Sequence, residues 1–291
     1  MGYIAIVIGA VLSALNFPFL KSALATFTPY SLMTVRFIMA TFIFLPIYLL
    51  FFKEKILKRS IKEVMLLSLF LFGGLALIVC GLDCTTVTST HAITTLVPIL
   101  TTIGSVILLK EAVKKRQYLG FVVGFLGLGV LTLNPLFSNG VQIGSLKGNL
   151  LVGLSTLCTT AYILYSKKVT RLISPHTTLM GTLICCTVLF TLTSLIEVAL
   201  GHHLLLQPLT ISNVWQLLYL SIFGTVIGFF TYQYGIKTAS SFFAGLSIYI
   251  QFPVVILLGV FYYNETLTNL FILGVIMSVV GAFLAVNYKK T

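Results

Sequence analysis

His91–Asn134 reads HAITTLVPILTTIGSVILLKEAVKKRQYLGFVVGFLGLGVLTLN, and Ala244–Asn287 reads AGLSIYIQFPVVILLGVFYYNETLTNLFILGVIMSVVGAFLAVN. Each is an apolar span containing a proline, a polar elbow holding a glutamate, and a second apolar span punctuated by glycine. Glu111 and Glu265 stand 154 positions apart, as do Gly120 and Gly274, and Gly127 and Gly281. Pro98 and Pro253 miss that offset by one. Earlier in the chain Lys21 pairs with Lys167 and Pro29 with Pro175, at a spacing of 146. The second half thus carries about eight extra residues, and the His202–Thr210 loop is their natural place. The chain reads as a duplicated half, residues 1–146 and 147–291.

Of the 291 residues 58% are apolar and only 8% charged, and the mean hydropathy is +1.09. A soluble domain carries about a quarter charged residues. Uncharged runs here reach the roughly 20 residues that a helix needs to cross a bilayer. The expected fold class is an all-α polytopic membrane protein. Ten transmembrane spans are predicted, at about 3–22, 30–52, 65–82, 90–109, 117–134, 148–166, 177–197, 214–236, 242–262 and 267–287. The first 20 residues lack a basic n-region, so they read as a first membrane helix rather than a cleaved signal.

The net charge of +12 does not indicate nucleic acid, because the basic residues sit in short bursts between spans. With a cytoplasmic N-terminus, 15 of the 18 Lys and Arg fall in inner loops. Both termini are then cytoplasmic, and a bacterial inner membrane is the expected location. Five spans per half is odd, so the second half enters the membrane upside down. Two inverted five-helix repeats are a recurring plan of secondary transporters, with the site where the halves meet.

The five cysteines read as buried free thiols, and no His or Cys spacing marks a metal; no cofactor is expected. Polar stripes at helical spacing mark the candidate cavity. Span 4 offers His91, Thr94 or Thr95, and Thr101 or Thr102; span 6 offers Ser155, Thr159, Tyr162 and Ser166. Span 8 offers Ser221, Thr225, Gly228 and Tyr232, span 9 Ser247, Tyr249 and Gln251, and span 1 Ser13 and Asn16. Any one Ser or Thr also has a bland role, bonding back to its own helix or joining two helices. The candidate substrate-binding residues are Asn16, His91, Thr95, Tyr162, Tyr232, Tyr249 and Gln251. Amides at depth need partners, and Tyr combines a hydroxyl with an aromatic face. His91 is the one histidine inside a predicted span, a proton carrier or ligand group, with simple packing as its bland role. Pro18, Pro98 and Pro253 each free a backbone carbonyl within a span.

Lys21 and Arg36 lie toward the outer ends of their spans, where they could attract a substrate carboxylate, and snorkelling to headgroups is the simpler account. No acid falls mid-span, which points away from proton coupling through a buried carboxylate. The glycines of spans 5 and 10 read as close helix packing, bracing the fold or forming a dimer face, so a monomer or homodimer is expected.

LNFPFLKSAL at Leu15–Leu24, Arg36 after Pro29, and VPILTTIGSVILLKE ending at Glu111 resemble the first half of the EamA-like branch of the drug/metabolite transporter superfamily. QFPVVILLGVFYYNETLT with LGVIMSVVGAFLAVN resembles its second half. The resemblance implies a ten-helix basket in which spans 1, 3, 4, 6, 8 and 9 surround a cavity while 5 and 10 sit apart. It also implies transport of small organic metabolites among membrane lipids, and no enzymatic activity. Many members carry a Trp late in span 1, where this chain has Leu15-Asn16; its single Trp215 reads as an interface anchor. The substrate expected is polar or zwitterionic and amino-acid-like. Nucleosides, nucleotide-derived cofactors and lipid-linked intermediates are the rival cargoes. A membrane-embedded transferase lacks its usual pair of carboxylates here, and a non-transporting scaffold is the remaining rival.

Overall fold

Proline and polar caps decide where the apolar runs become separate helices. The computed structural model describes residues 2–52, 58–109, 115–137, 144–238, 251 and 254–285. The first run divides into α1 (Gly2–Ala14) and α2 (Asn16–Ala23). Pro18 has no N–H to close onto the Ala14 carbonyl, and the helix breaks at Leu15 between them. α3 (Pro29–Phe51) and α4 (Lys58–Cys84) follow unbroken. The fourth run divides into α5 (Val87–Thr94) and α6 (Val97–Leu109), because Pro98 leaves the Thr94 carbonyl without a helical partner. Pro253 lies outside the described residues.

The remaining helices are α7 (Lys115–Phe137), α8 (Leu146–Leu172), α9 (Pro175–Ala199), α10 (Ile211–Ser221), α11 (Gly228–Thr238), α12 (Val254–Tyr263) and α13 (Asn269–Ala285). Between α10 and α11 the chain stays helical through one π turn, Ile222–Ile227. Among the described residues the only extended pairing is a single antiparallel bridge between Phe27 and Leu205. α3, α4, α8, α9 and the continuous run Ile211–Thr238 are each long and apolar enough to cross a membrane. Ile8–Ala23, Tyr118–Asn134, α12 and Asn269–Gly281 are shorter apolar helices.

Caps start the long helices. α3 and α9 each place proline in the first turn behind an extended hydroxyl residue, Thr28 (φ −68°, ψ 157°) and Ser174 (φ −69°, ψ 156°). Ser174 accepts from the Thr177 N–H, and Ser145 accepts from Gly148 at the start of α8. A reciprocal box of Thr210 and Asn213 opens α10.

The most extensive helix contacts run between α7 and α13, α4 and α8, α3 and α9, and α1 and α11. Phe37 of α3 and Phe190 of α9, both fully buried, pack at 5.3 Å between ring centroids. α7 and α13 touch backbone to backbone. A Cβ on Gly127 would lie 2.9 Å from the Gly274 carbonyl oxygen, and one on Gly281 would lie 2.8 Å from that of Gly120. These glycines brace the fold from within, one of the two roles the sequence left open.

Large apolar side chains such as Phe42, Leu126, Leu154 and Leu195 face outward. The interior combines an apolar core with a long series of buried Ser and Thr together with Arg36, His91, Asn149 and Gln233. A soluble protein seldom turns so many large apolar side chains outward while burying so many polar ones. Here lipid is the outer solvent, and the polar groups are gathered where helices meet.

Candidate functional site

Three of those buried polar groups, Arg36, His91 and Thr94, line a cavity of about 200 Å³. Its walls come from α1 to α6, α8, the π turn, α11 and Gln251. Of the seven residues expected to bind substrate, five line it: Asn16, His91, Tyr162, Tyr232 and Gln251. Tyr249 lies outside the described residues. Thr95 is buried elsewhere, its hydroxyl donating to the Ala92 carbonyl at 2.6 Å, and Thr94 lines the cavity instead. The helix end at Thr94 turns the chain between these neighbours, a rotation that regular helical spacing does not anticipate.

Asn16 opens α2, and its Oδ1 is buried and accepts no hydrogen bond among the described residues. It lies against the Gly224 backbone, where any side chain would displace it. His91 is fully buried, its ring edge-on to Phe17 at 5.1 Å and its side chain bonded toward Gln251. His91, one of the candidate binding residues, lines the cavity wall. Tyr162 accepts a hydrogen bond from Gln233 Nε2, while Gln233 Oε1 accepts from Ser166. Gln233 is fully buried. It fills the acceptor side of the Tyr162 hydroxyl and leaves the phenolic O–H to be donated elsewhere.

Arg36 corrects the sequence reading most sharply. It does not snorkel; it is 2% exposed and lines the cavity. Its Nε donates to Thr225 Oγ1 at 2.7 Å. The signal was present in α3: Met33, Arg36, Phe37 and Ala40 share one buried face, opposite the lipid-facing Phe42 and Leu49. Thr225 belongs to the π turn and donates its own proton to the Leu220 carbonyl five residues back, at 2.8 Å. Its oxygen is thereby set to accept from Arg36. Such single π turns are frequent at functional sites, and nothing in the periodicity of span 8 announces one.

Lys21 does not snorkel either. Its Nζ donates to the carbonyls of Leu82 (2.7 Å), Asp83 (3.1 Å) and Thr85 (2.9 Å), closing the end of α4. Glu265 accepts from the Val87 and Thr88 N–H groups at 2.6 and 2.8 Å, at the start of α5. A wider recess of about 640 Å³ surrounds Lys21, Asp83 and Glu265, and Lys21 and Glu265 are committed there to helix ends. Among the described residues no group of three His, Cys, Asp or Glu is placed to hold a metal.

Comparison with known proteins agrees with this architecture. The model of the EamA-like transporter family matches residues 1–133 and 146–287. An uncharacterized transporter of Bacillus subtilis (strain 168), YyaM, is 24% identical over 292 residues, spanning 97% of this chain and 92% of the relative. A solved structure titled only as the crystal structure of a protein superposes with a TM-score of 0.67 at 17% identity, covering 98% of this chain and 96% of the other, and so shares the fold. With apolar faces turned outward, a cavity within that sets Arg36, His91 and Asn16 among apolar side chains, and the family matched over both halves, the chain belongs to the EamA-like transporter family of the drug/metabolite transporter superfamily, as a multi-pass membrane protein.

Proposed function

We propose that the protein is a secondary transporter, an exporter or exchanger, of small polar organic metabolites of amino-acid-like kind. It works by alternating access of two inverted five-helix repeats, residues 1–146 and 147–291, around the central cavity. It resides in the bacterial cytoplasmic membrane with both termini in the cytoplasm, an orientation supported by the 15 of 18 basic residues that then face inward.

One observation carries the reading: the cavity is lined in pairs. Ser13 and Thr159, and Asn16 and Tyr162, stand 146 positions apart. Phe70 and Gly224, Gly74 and Gly228, Leu75 and Phe229, Ile78 and Tyr232, and Val97 and Gln251 stand 154 apart. These are the two offsets of the internal repeat, so equivalent positions of both halves converge on one space. The helix pairing supports the same exchange. Swapping the halves maps α3/α9 and α7/α13 onto themselves and α4/α8 onto α11/α1. Thr41 and Thr187, 146 apart, hydrogen-bond to each other at 2.9 Å. The Gly127–Gly274 contact likewise maps onto Gly281–Gly120. These correspondences support a pseudo-twofold arrangement of the two halves about the cavity, the arrangement that rocking between them requires.

Size selects among cargoes. An engineered apolar cavity of about 150 Å³ takes benzene, so this one holds on the order of ten non-hydrogen atoms in the conformation described. That volume favours small solutes over nucleotide cofactors and lipid-linked intermediates.

The test is flux. Purified protein in proteoliposomes is expected to give saturable uptake or exchange of a labelled amino acid above protein-free vesicles. Saturable flux only of other small solutes overturns the substrate reading, and flux of none overturns the transporter reading. Tyr162→Ala and Gln251→Ala are each expected to cut that flux roughly tenfold or more, the scale of one or two lost buried hydrogen bonds, while inserting normally. Wild-type flux in both variants removes the cavity from the pathway.

A further inference from the structure

We infer that Arg36 is the anchor for a single carboxylate on the transported molecule, an inference that rests on the cavity being the substrate site. A guanidinium stays protonated in any protein environment, and a buried charge without a counter-charge is costly. Arg36 is nine-tenths buried by a wide margin, yet no carboxylate lines the cavity with it. The described acids are engaged or placed elsewhere. Glu63 pairs with Lys168 at 3.1 Å, Glu197 accepts from Thr28, Glu265 caps α5, and Asp83 borders the outer recess. The stretch 239–250, ASSFFAGLSIYI, contains no acid. The missing counter-charge therefore comes with the ligand.

Geometry says how it binds. Thr225 holds Nε, and that is the guanidinium's hydrogen bond to protein among the described residues. The two terminal amino groups are left for the cavity, side by side, in the fork that matches the two oxygens of a carboxylate. Ser221 Oγ donates to the Arg36 carbonyl at 3.2 Å, so the π turn grips both the backbone and the side chain of this residue. The fork is thereby aimed before any ligand arrives.

Charge and surface then limit the molecule. Arg36 is the only Lys or Arg among the lining residues, so one negative group is matched; dicarboxylates and phosphate dianions bring an excess. Phe70, Leu71, Leu75 and Ile78 of α4 give the cavity an apolar wall. The ligand class is a small monocarboxylate with an apolar side chain. An amino acid and its deaminated acid share that chemistry. Asn16 Oδ1, buried and without a donor, is the acceptor available to an ammonium group.

The test uses purified full-length protein in detergent and thermal shift, since a ligand that binds the folded state raises its melting temperature by mass action. The probes are leucine and phenylalanine, their deaminated acids 4-methylpentanoate and 3-phenylpropanoate, and their amides, which keep the ammonium and lose the carboxylate. At least one amino acid or its deaminated acid is expected to shift the wild type, with the matching amide at least tenfold weaker. A shift by both acid forms identifies the carboxylate as sufficient; a shift by the amino acid alone adds the ammonium contact. Arg36→Gln is expected to lose the shift, and Arg36→Lys to weaken it roughly tenfold to hundredfold, the cost of an imperfect charged hydrogen bond. The comparison of acid with amide is made on the wild type, so it decides even where a variant fails to fold. Amides that shift as strongly as acids, no shift with any carboxylate, or full affinity in a folded Arg36→Gln would each overturn the inference. Flux separates this from the transporter reading. Arg36-dependent binding without flux leaves the anchor and removes the transporter, whereas flux of amides alone does the reverse.

Discussion

Gly281→Leu is expected to abolish the folded monomer, while Gly129→Leu leaves it intact. The first Cβ of the new side chain at position 281 would sit 2.8 Å from the Gly120 carbonyl oxygen and press on the backbone of Gly124. Backbone does not rotate out of the way as a side chain does. α7 and α13 must separate, and theirs is the most extensive helix contact among the described residues. Overpacking a core by a methylene or two costs about 1–3 kcal/mol, and here a whole interface parts, so roughly 3 kcal/mol or more is expected. Gly129 lies on the same helix α7 and a Cβ there meets nothing within 4 Å. Leucine at that position relieves the helix of a glycine, worth about 0.8–1 kcal/mol. Size-exclusion profiles of the two variants, followed by melting in detergent, check the contrast. A monodisperse Gly281→Leu melting near the wild type would show that α7 and α13 do not brace the fold.

Gln233→Leu is expected to lower both stability and transport. Its amide joins Ser166 to Tyr162 and has no exposure at all. Leucine keeps the bulk but leaves two buried hydroxyls short of a partner, each at about 1–3 kcal/mol in water-soluble proteins. Membrane interiors give smaller values, averaging about 0.6 kcal/mol per bond, so a total near 2 kcal/mol is expected, read as a fall of several degrees in melting temperature. Transport falls further than stability, because the Tyr162 hydroxyl in the cavity wall loses the bond that orients it. Adding Ser166→Ala to Gln233→Leu is expected to cost almost nothing more, since the shared bond is already gone. Additive losses would mean that the two residues act independently.

Much of this molecule is written in one dimension. Apolar runs of bilayer length report a membrane fold because lipid admits only helices whose backbone bonds are satisfied internally. Pro18 and Pro98 mark real helix breaks, whereas Pro46 stays within the unbroken α3. Asn16, His91, Tyr162, Tyr232 and Gln251 were legible as cavity residues because polar groups on apolar spans have few other places to go.

Packing decided the rest. Whether Arg36 reaches for headgroups or turns inward depends on which face of α3 meets α9 and the π turn, and that is a property of the bundle. Lys21 was taken for a lipid anchor until the carbonyls at the end of α4 were seen within its reach. Thr94 replaces Thr95 because a helix end changes the rotation that a regular period assumes. Gln233 and Thr225 carry no motif, and their roles exist only relative to Tyr162 and Arg36. Backbone chemistry and lipid exclusion act on neighbours along the chain, so the apolar helices and the breaks at Pro18 and Pro98 were legible in the sequence. The charge and hydrogen bonds of the site join residues as far apart as Arg36 and Thr225, 189 positions along the chain, and only the tertiary structure brings them into contact.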